Sequence, residues 1–272
     1  MVGIPAAKAL IDSTRGDAMN RQRLVLTALL VGILVGPSTS FGQVFSSFPD
    51  SKRSQMFELK FGAMMPNVDS EAGLDGKPYN TIFGDDGLFM TRIEYDYHIW
   101  QGFGSLAIGM ELGYGSVSGS GLETGSDSAA NDATEFNMIP MSLSLVYHFD
   151  VLAIKWNVPI VPFFKGGLDY NIWWINDGVG ETATYESTDP DTLETSSFEG
   201  KGDTFGWHVA GGIKILLDTF APDMAQGFDG DMGVNNSYVF AEFVYAVIDD
   251  FGSEKSFHLG GTSILFGIAF EL

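Results

Sequence analysis

Between Arg92 and Ile99 the chain alternates strictly between ionisable and apolar residues. Arg92, Glu94, Asp96 and His98 fall on one set of positions, and Ile93, Tyr95, Tyr97 and Ile99 on the other. Period two is the signature of a β-strand whose faces meet different surroundings. A soluble core does not accept four successive ionisable side chains unless each is paired. The segment therefore asks for a narrow interior that pairs those groups and for an apolar medium on its other side. A closed barrel in lipid meets both demands. A soluble lipocalin-like barrel and a soluble sandwich are the competing readings.

Seven further segments carry the same alternation. Met56 to Met64 sets Phe57, Leu59 and Phe61 against Glu58, Lys60 and Gly62. Ser105 to Ser116 sets Leu106, Ile108, Met110, Leu112 and Tyr114 against small residues and Glu111. Phe136 to Phe149 places Ile139, Met141, Leu143, Leu145 and Tyr147 opposite Ser142, Ser144 and His148. Pro159 to Trp174 places Phe164, Leu168, Tyr170 and Ile172 opposite Lys165, Gly167, Asp169 and Asn171. Thr204 to Leu217 and Ser237 to Ile248 follow, with His208, Lys214 and Glu242 on the polar side; Phe240 and Val244 interrupt the pattern in the second. In the last stretch Ile264, Phe266, Ile268, Phe270 and Leu272 share one face. No later element follows to cover it, so lipid is the expected cover. Small inward residues on one strand leave room for long ones on another. The expected fold is an all-β, closed eight-stranded antiparallel up-and-down transmembrane β-barrel, whose eight strands leave an interior filled by side chains.

Residues 19–42 read as a secretory signal. Arg21 and Arg23 precede an apolar run from Leu24 to Val35, and Ser40 and Gly42 supply small residues before a cut ahead of Gln43. The run is shorter than a membrane-spanning helix needs, although an N-terminal anchor helix is the alternative. Residues 1–18 have no place in such a signal, which puts the expected start at Met19. The expected divisions are 1–42 as upstream extension and signal, 43–55 as periplasmic leader and 56–272 as barrel. The net charge of -21 becomes 10 minus 33, or -23, once 1–42 are removed, and it excludes a nucleic-acid partner held by a basic surface. The absence of cysteine means that no disulfide supports the fold.

Loop lengths agree with both termini in the periplasm. The connections 67–87, 117–135 and 176–203 are long and acidic, and the last holds eight acids against Lys201 alone. Asp218 to Asn236 breaks the rule, being long where a short periplasmic turn belongs. This segment, with Asp229-Gly230-Asp231-Met232-Gly233-Val234-Asn235-Asn236, resembles an outer-membrane β-barrel family of undetermined activity known from myxobacteria and relatives. In that family a short helical insert and a D-x-x-x-G-(I/V)-N-(H/N) run precede the seventh strand. The Phe57 to Gly62 opening and the C-terminal strand carry the resemblance further, and the broader likeness is to small eight-stranded barrels of the OmpA membrane-domain type. The resemblance implies an envelope barrel and brings no activity with it.

The expected interior network is Glu58, Lys60, Arg92, Glu94, Asp96, His98, Glu111, His148, Lys165, Asp169, His208, Lys214 and Glu242. Four fixed cations against six carboxylates point to a plugged core of ion pairs; a narrow cation-selective channel is the alternative. A hydrolase built on His148, Ser142 and Glu111 is a third reading, without any G-x-S-x-G motif to support it. Asp229, Asp231 and Asn235 form a candidate Ca²⁺ loop, against which an Asx-stabilised turn competes. The acidic loops are a further place for Ca²⁺ near lipopolysaccharide phosphates, with plain solvation as the alternative. No other cofactor is expected. Tyr95, Tyr97, Tyr114, Tyr147, Tyr170, Trp100, Trp173, Trp174 and Trp207 are assigned to interfacial girdles. The whole predicts a monomeric structural or surface-interaction barrel of the outer membrane, without turnover. Its expected partners are membrane lipid, lipopolysaccharide and, through the C-terminal strand, the barrel-assembly machinery.

Overall fold

The computed structural model describes residues 53–70, 77–122, 129–188, 195–253 and 256–272; the signal segment and most of the leader lie outside them. Eight strands close on themselves: β1 (Gln55–Pro66), β2 (Leu88–Gly102), β3 (Gly104–Leu122), β4 (Ala129–His148), β5 (Ile160–Asn176), β8 (Lys201–Leu216), β9 (Asn236–Ile248) and β10 (Gly261–Glu271). Each pairs antiparallel with its sequence neighbours, and β10 returns to β1 with Phe61 opposite Phe266. The Ser54 and Gln55 amides donate to the Leu272 carbonyl, so the seam is hydrogen-bonded to its end. Closure leaves the ring no free sheet edge.

Two departures from the expected loops extend strand structure. Residues 117–135 are mostly ladder, since β3 runs on to Leu122 and β4 begins at Ala129. Within 176–203, β6 (Thr184–Thr188) and β7 (Thr195–Glu199) form a separate hairpin. Polar, glycine-rich sequence conceals both, because no apolar alternation marks the ladder.

The β1–β2, β3–β4, β5–β8 and β9–β10 connections lie at one end of the barrel, the loop end; Ser54, Leu272 and the β2–β3, β4–β5 and β8–β9 links lie at the other, the terminal end, where only the β8–β9 link is long. At the loop end a 3₁₀ turn (Val68–Ser70) and α1 (Pro78–Phe83) pack over the mouth, where Asp69 accepts the Tyr79 and Asn80 amides. At the terminal end lie α2 (Val151–Trp156) and α3 (Pro222–Met232). No helix among the described residues is long and apolar enough to cross a membrane.

Outward positions form an apolar band around the ring. Phe57, Phe61, Ile93, Met110, Leu143, Phe164, Leu168, Val209, Ile213, Phe243, Ile264 and Phe266 are all exposed. The interior is layered. Toward the loop end lies an apolar plug of Met64, Leu88, Met90, Phe136, Met138, Trp173, Ile248, Phe257 and Leu259, among others. Toward the terminal end lies a second plug of Met56, Val161, Phe163, Tyr238, Phe240 and Ala269. Between them sits the ionisable layer. Trp173 is thus an interior residue and not part of a girdle: it is 1% exposed and stacks on Phe257 at 4.4 Å between ring centres. Its parity with Asn171 and Asp169 on β5 turns it inward.

Candidate functional site

All thirteen residues of the expected network point into the barrel. On β1, Glu58 and Lys60 follow Met56 at two-residue steps. On β5, Lys165 and Asp169 lie between Val161 and Phe163 on one side and Trp173 on the other. On β9, Glu242 separates Phe240 from Val244. Each strand thus reads apolar, ionic, apolar along its inward face. Glycines on β3 make room for this layer: a Cβ on Gly109 would stand 2.6 Å from Glu94 Oε1.

Lys60 Nζ is the hub. It donates to Glu94, to Glu111 at 2.7 Å and to Glu242 at 3.4 Å, with Glu58 at 3.5 Å. Lys165 Nζ lies 2.6 Å from Glu94 and 3.1 Å from both Glu58 and Glu242. Arg92 Nη1 donates to Glu111 at 2.7 Å, and Lys214 Nζ donates to Glu58 and to His148 Nε2 at 2.8 Å. Four cations therefore meet four glutamates. Asp169 accepts from His208, which leaves Asp96 as the surplus acid. It is fully buried, and neither of its oxygens accepts a hydrogen bond among the described residues.

Glu58, Asp96 and His148 each bring a ligand atom within 4.8 Å of one another, and Glu58, Glu94 and Glu242 do the same. Ammonium groups already fill both sets. Lys214 lies against Glu58 and His148, and Lys60 and Lys165 lie against Glu94 and Glu242. A divalent ion there would meet fixed positive charge at contact distance.

The serine relay of the third reading does not form, and another stands beside it. Glu111 is taken by Lys60 and Arg92, and His148 by Lys214, so neither is available to Ser142. Instead Ser144 Oγ stands 3.1 Å from His208 Nε2, and His208 Nδ1 stands 2.9 and 3.0 Å from the two Asp169 oxygens. With the Nδ1 proton donated to Asp169, Nε2 accepts from the serine hydroxyl, in the order nucleophile, base, orienting acid. Gly167 permits the approach: a Cβ there would lie 2.7 Å from Ser144 Oγ and 2.9 Å from His208 Cε1. Among the described residues the relay is flanked by the packed apolar side chains of the two plugs, and β4, β5 and β8 commit their amides to the ladder around it. The arrangement can hold a proton in place.

Sequence reasoning left Glu271 out of the interior network. It is 3% exposed and accepts from Asn236 Nδ2 at 2.6 Å and from Tyr238 Oη at 3.1 Å. Its parity with Leu265 and Ala269 on β10 was the available signal. Below it, in the β4–β5 link, burial pushes the Asp150 carboxyl up to about 6 against the attraction of Arg53. The candidate Ca²⁺ loop is not a loop over its first half. Asp229 and Asp231 lie on α3, where a two-residue step turns side chains about 200° apart, so the two do not face a common ion.

No family model matches the chain, and no curated protein sequence matches it. Among solved structures, the chain is similar to Neisserial surface protein A at 13% identity, with 80% of this chain and 96% of that one covered and a TM-score of 0.44. It is similar to the outer membrane protein OprG from Pseudomonas aeruginosa at 11% identity, with 82% and 98% covered and a TM-score of 0.45. The N-terminal β-barrel domain of Pseudomonas aeruginosa OprF matches at 11% identity, with 81% and 98% covered and a TM-score of 0.35.

Proposed function

We propose that this chain is a bacterial outer-membrane β-barrel with a structural or surface-interaction role and a sealed interior. The exposed apolar band carries the reading. A continuous ring of outward Phe, Leu, Ile and Val side chains around a closed barrel is stable only in contact with hydrocarbon. Every strand of the ring is paired on both sides, as a membrane-crossing sheet requires.

The orientation follows from the connections, with the loop end outside and the terminal end in the periplasm. The acidic connections then face the cell exterior, beside lipopolysaccharide. The C-terminal strand β10, with its outward Phe266, Ile268 and Phe270, is the segment offered to the barrel-assembly machinery. The finer placement, in the family known from myxobacteria, rests on the 229–236 run and on helix α3, which ends within it. The two apolar plugs favour a barrel that neither conducts nor turns over substrate, since ions and acyl groups alike would have to cross packed aromatics.

The test is the electrophoretic mobility of purified mature protein, unboiled against boiled, with and without detergent. The expected outcome is a fast-migrating folded form that exists only in detergent or bilayer. A monodisperse folded protein in plain buffer would overturn the reading.

A further inference from the structure

The terminal end is not apolar all round to the same degree. Two connections that neighbour each other in space carry exposed apolar residues beyond the strand ends. In and after α2 these are Ile154, Trp156 and Val158; in the β8–β9 link they are Leu217, Phe220, Phe228 and Met232. The two links are joined through the ladder, because Ile160 of β5 pairs with Ile215 of β8 and the Leu216 amide donates to the Pro159 carbonyl. Trp156 is 64% exposed, Phe220 69% and Met232 68%, so the barrel covers none of the three.

On α3 the apolar positions are ordered. Ala225, Phe228 and Met232 recur at steps of three and four, one stripe of a helix. Asp223 is five residues before Phe228, about 140° round the helix axis, and Gly230 and Asp231 leave the remaining surface polar or bare. An eleven-residue helix with an uncovered stripe needs a partner, because the strand ends alone do not supply one. The patch also has a direction. Ile213, Ile215 and Val239, all exposed, lead from the outward band straight into Leu217 and Phe220. A surface continuous with the lipid-facing band has the membrane boundary as its nearest apolar neighbour.

We infer that α2 and α3 form an apron lying in the headgroup and upper acyl region of the periplasmic leaflet, with phospholipid as its occupant. The inference rests on the membrane reading above. An amphipathic helix at a membrane boundary buries its apolar face about 5–10 Å below the headgroups, which leaves the acidic Asp223 of α3 on the watery side and Asp229 and Asp231 at its two edges. Trp156 supplies the ring type that favours that depth, and Lys155 beside it is placed to reach phosphate. The apron occupies only the β5–β8–β9 side, so it holds one side of the barrel at a set depth. It also explains why the sixth connection is long where a tight turn suffices to join two strands.

The chain has no cysteine, so single nitroxide labels can be introduced without background. Full-length mature protein, reconstituted in phosphatidylethanolamine and phosphatidylglycerol vesicles, is labelled at F228C, M232C or W156C. The D223C and L143C variants serve as references. The measurement is the ratio of accessibility to oxygen over accessibility to a water-soluble nickel chelate. The expected result is a ratio severalfold higher at 156, 228 and 232 than at 223, and highest at 143. Labels at 228 and 232 that behave like 223, while 143 stays oxygen-favoured, would overturn the apron and point to a periplasmic protein as the cover. A nickel-favoured label at 143 would instead overturn the membrane reading on which the apron rests.

Discussion

Lys60 shows what a single residue does in this barrel. Its ammonium is fully buried among Glu58, Glu94, Glu111 and Glu242, so its removal leaves several carboxylates short of a counter-charge at once. Lys60→Met is expected to cost about 3–5 kcal/mol, measured by urea unfolding from lipid vesicles. Asp96→Asn is the contrasting case. Asp96 is the acid left over after four cations meet four glutamates, and neither of its oxygens is hydrogen-bonded among the described residues. Its neutralisation is expected to leave stability unchanged or raise it. A loss comparable to that of Lys60→Met would show that Asp96 pairs with something the charge count omits. The facing of these residues was legible from parity alone, since each sits at an even step from another ionisable or small residue. Their partners were not. Which lysine meets which glutamate depends on barrel shear, and Lys165 reaches Glu58 over a sequence separation of 107. The Ser144–His208–Asp169 relay escaped for the same reason: its members come from β4, β5 and β8, and Gly167 lets them meet.

At the scale of the element, a strand here carries three environments along one face. On β5 the inward sequence runs Val161, Phe163, Lys165, Gly167, Asp169, Asn171, Trp173, Ile175, passing from plug to ionic layer to plug. Trp173 closes the loop-end plug against Phe257, which comes from the β9–β10 connection and not from a strand. Trp173→Ala is expected to cost about 3–5 kcal/mol in the same vesicle unfolding measurement, as large-to-small changes in packed cores do. A change below about 0.5 kcal/mol would return Trp173 to the surface. Aromatic identity misled the sequence reading at this position, because Trp near a strand end suggests an interface; the parity of the strand was the better guide. Helix α1 was hidden differently: it is short, sits in polar sequence, and is held by the Asp69 carboxylate at its first amides and by burial of Tyr79 and Phe83 over the mouth. Helix α3 lies where the family resemblance implied a short helical insert.

The whole molecule is an inside-out arrangement, with charge at the centre and hydrocarbon-seeking side chains outside. Leu143, near the middle of the band on β4, is 53% exposed. Leu143→Arg is expected to destabilise the barrel by about 2–4 kcal/mol when folded into a bilayer. The same change on a water-facing surface would fall within about 0.5 kcal/mol, and that outcome would remove lipid from the account. Eight alternating segments made the number of staves and their order readable, because closure follows once each strand has one face that must leave water.

The paired strands β3 and β4 run for 19 and 20 residues, while a crossing takes about 9–11. Their surplus is paired ladder beyond the Val117–Phe136 level of the plug, with Ser120 opposite Ala133 and, after a register shift, Leu122 opposite Ala129, so the part standing clear of the ring is a paired mast and not a tether. Its height is quantised. Deleting two residues from each stave lowers it by about 7 Å and leaves every side chain facing as before. Deleting one from a single stave reverses inside and outside for all that lies above the cut.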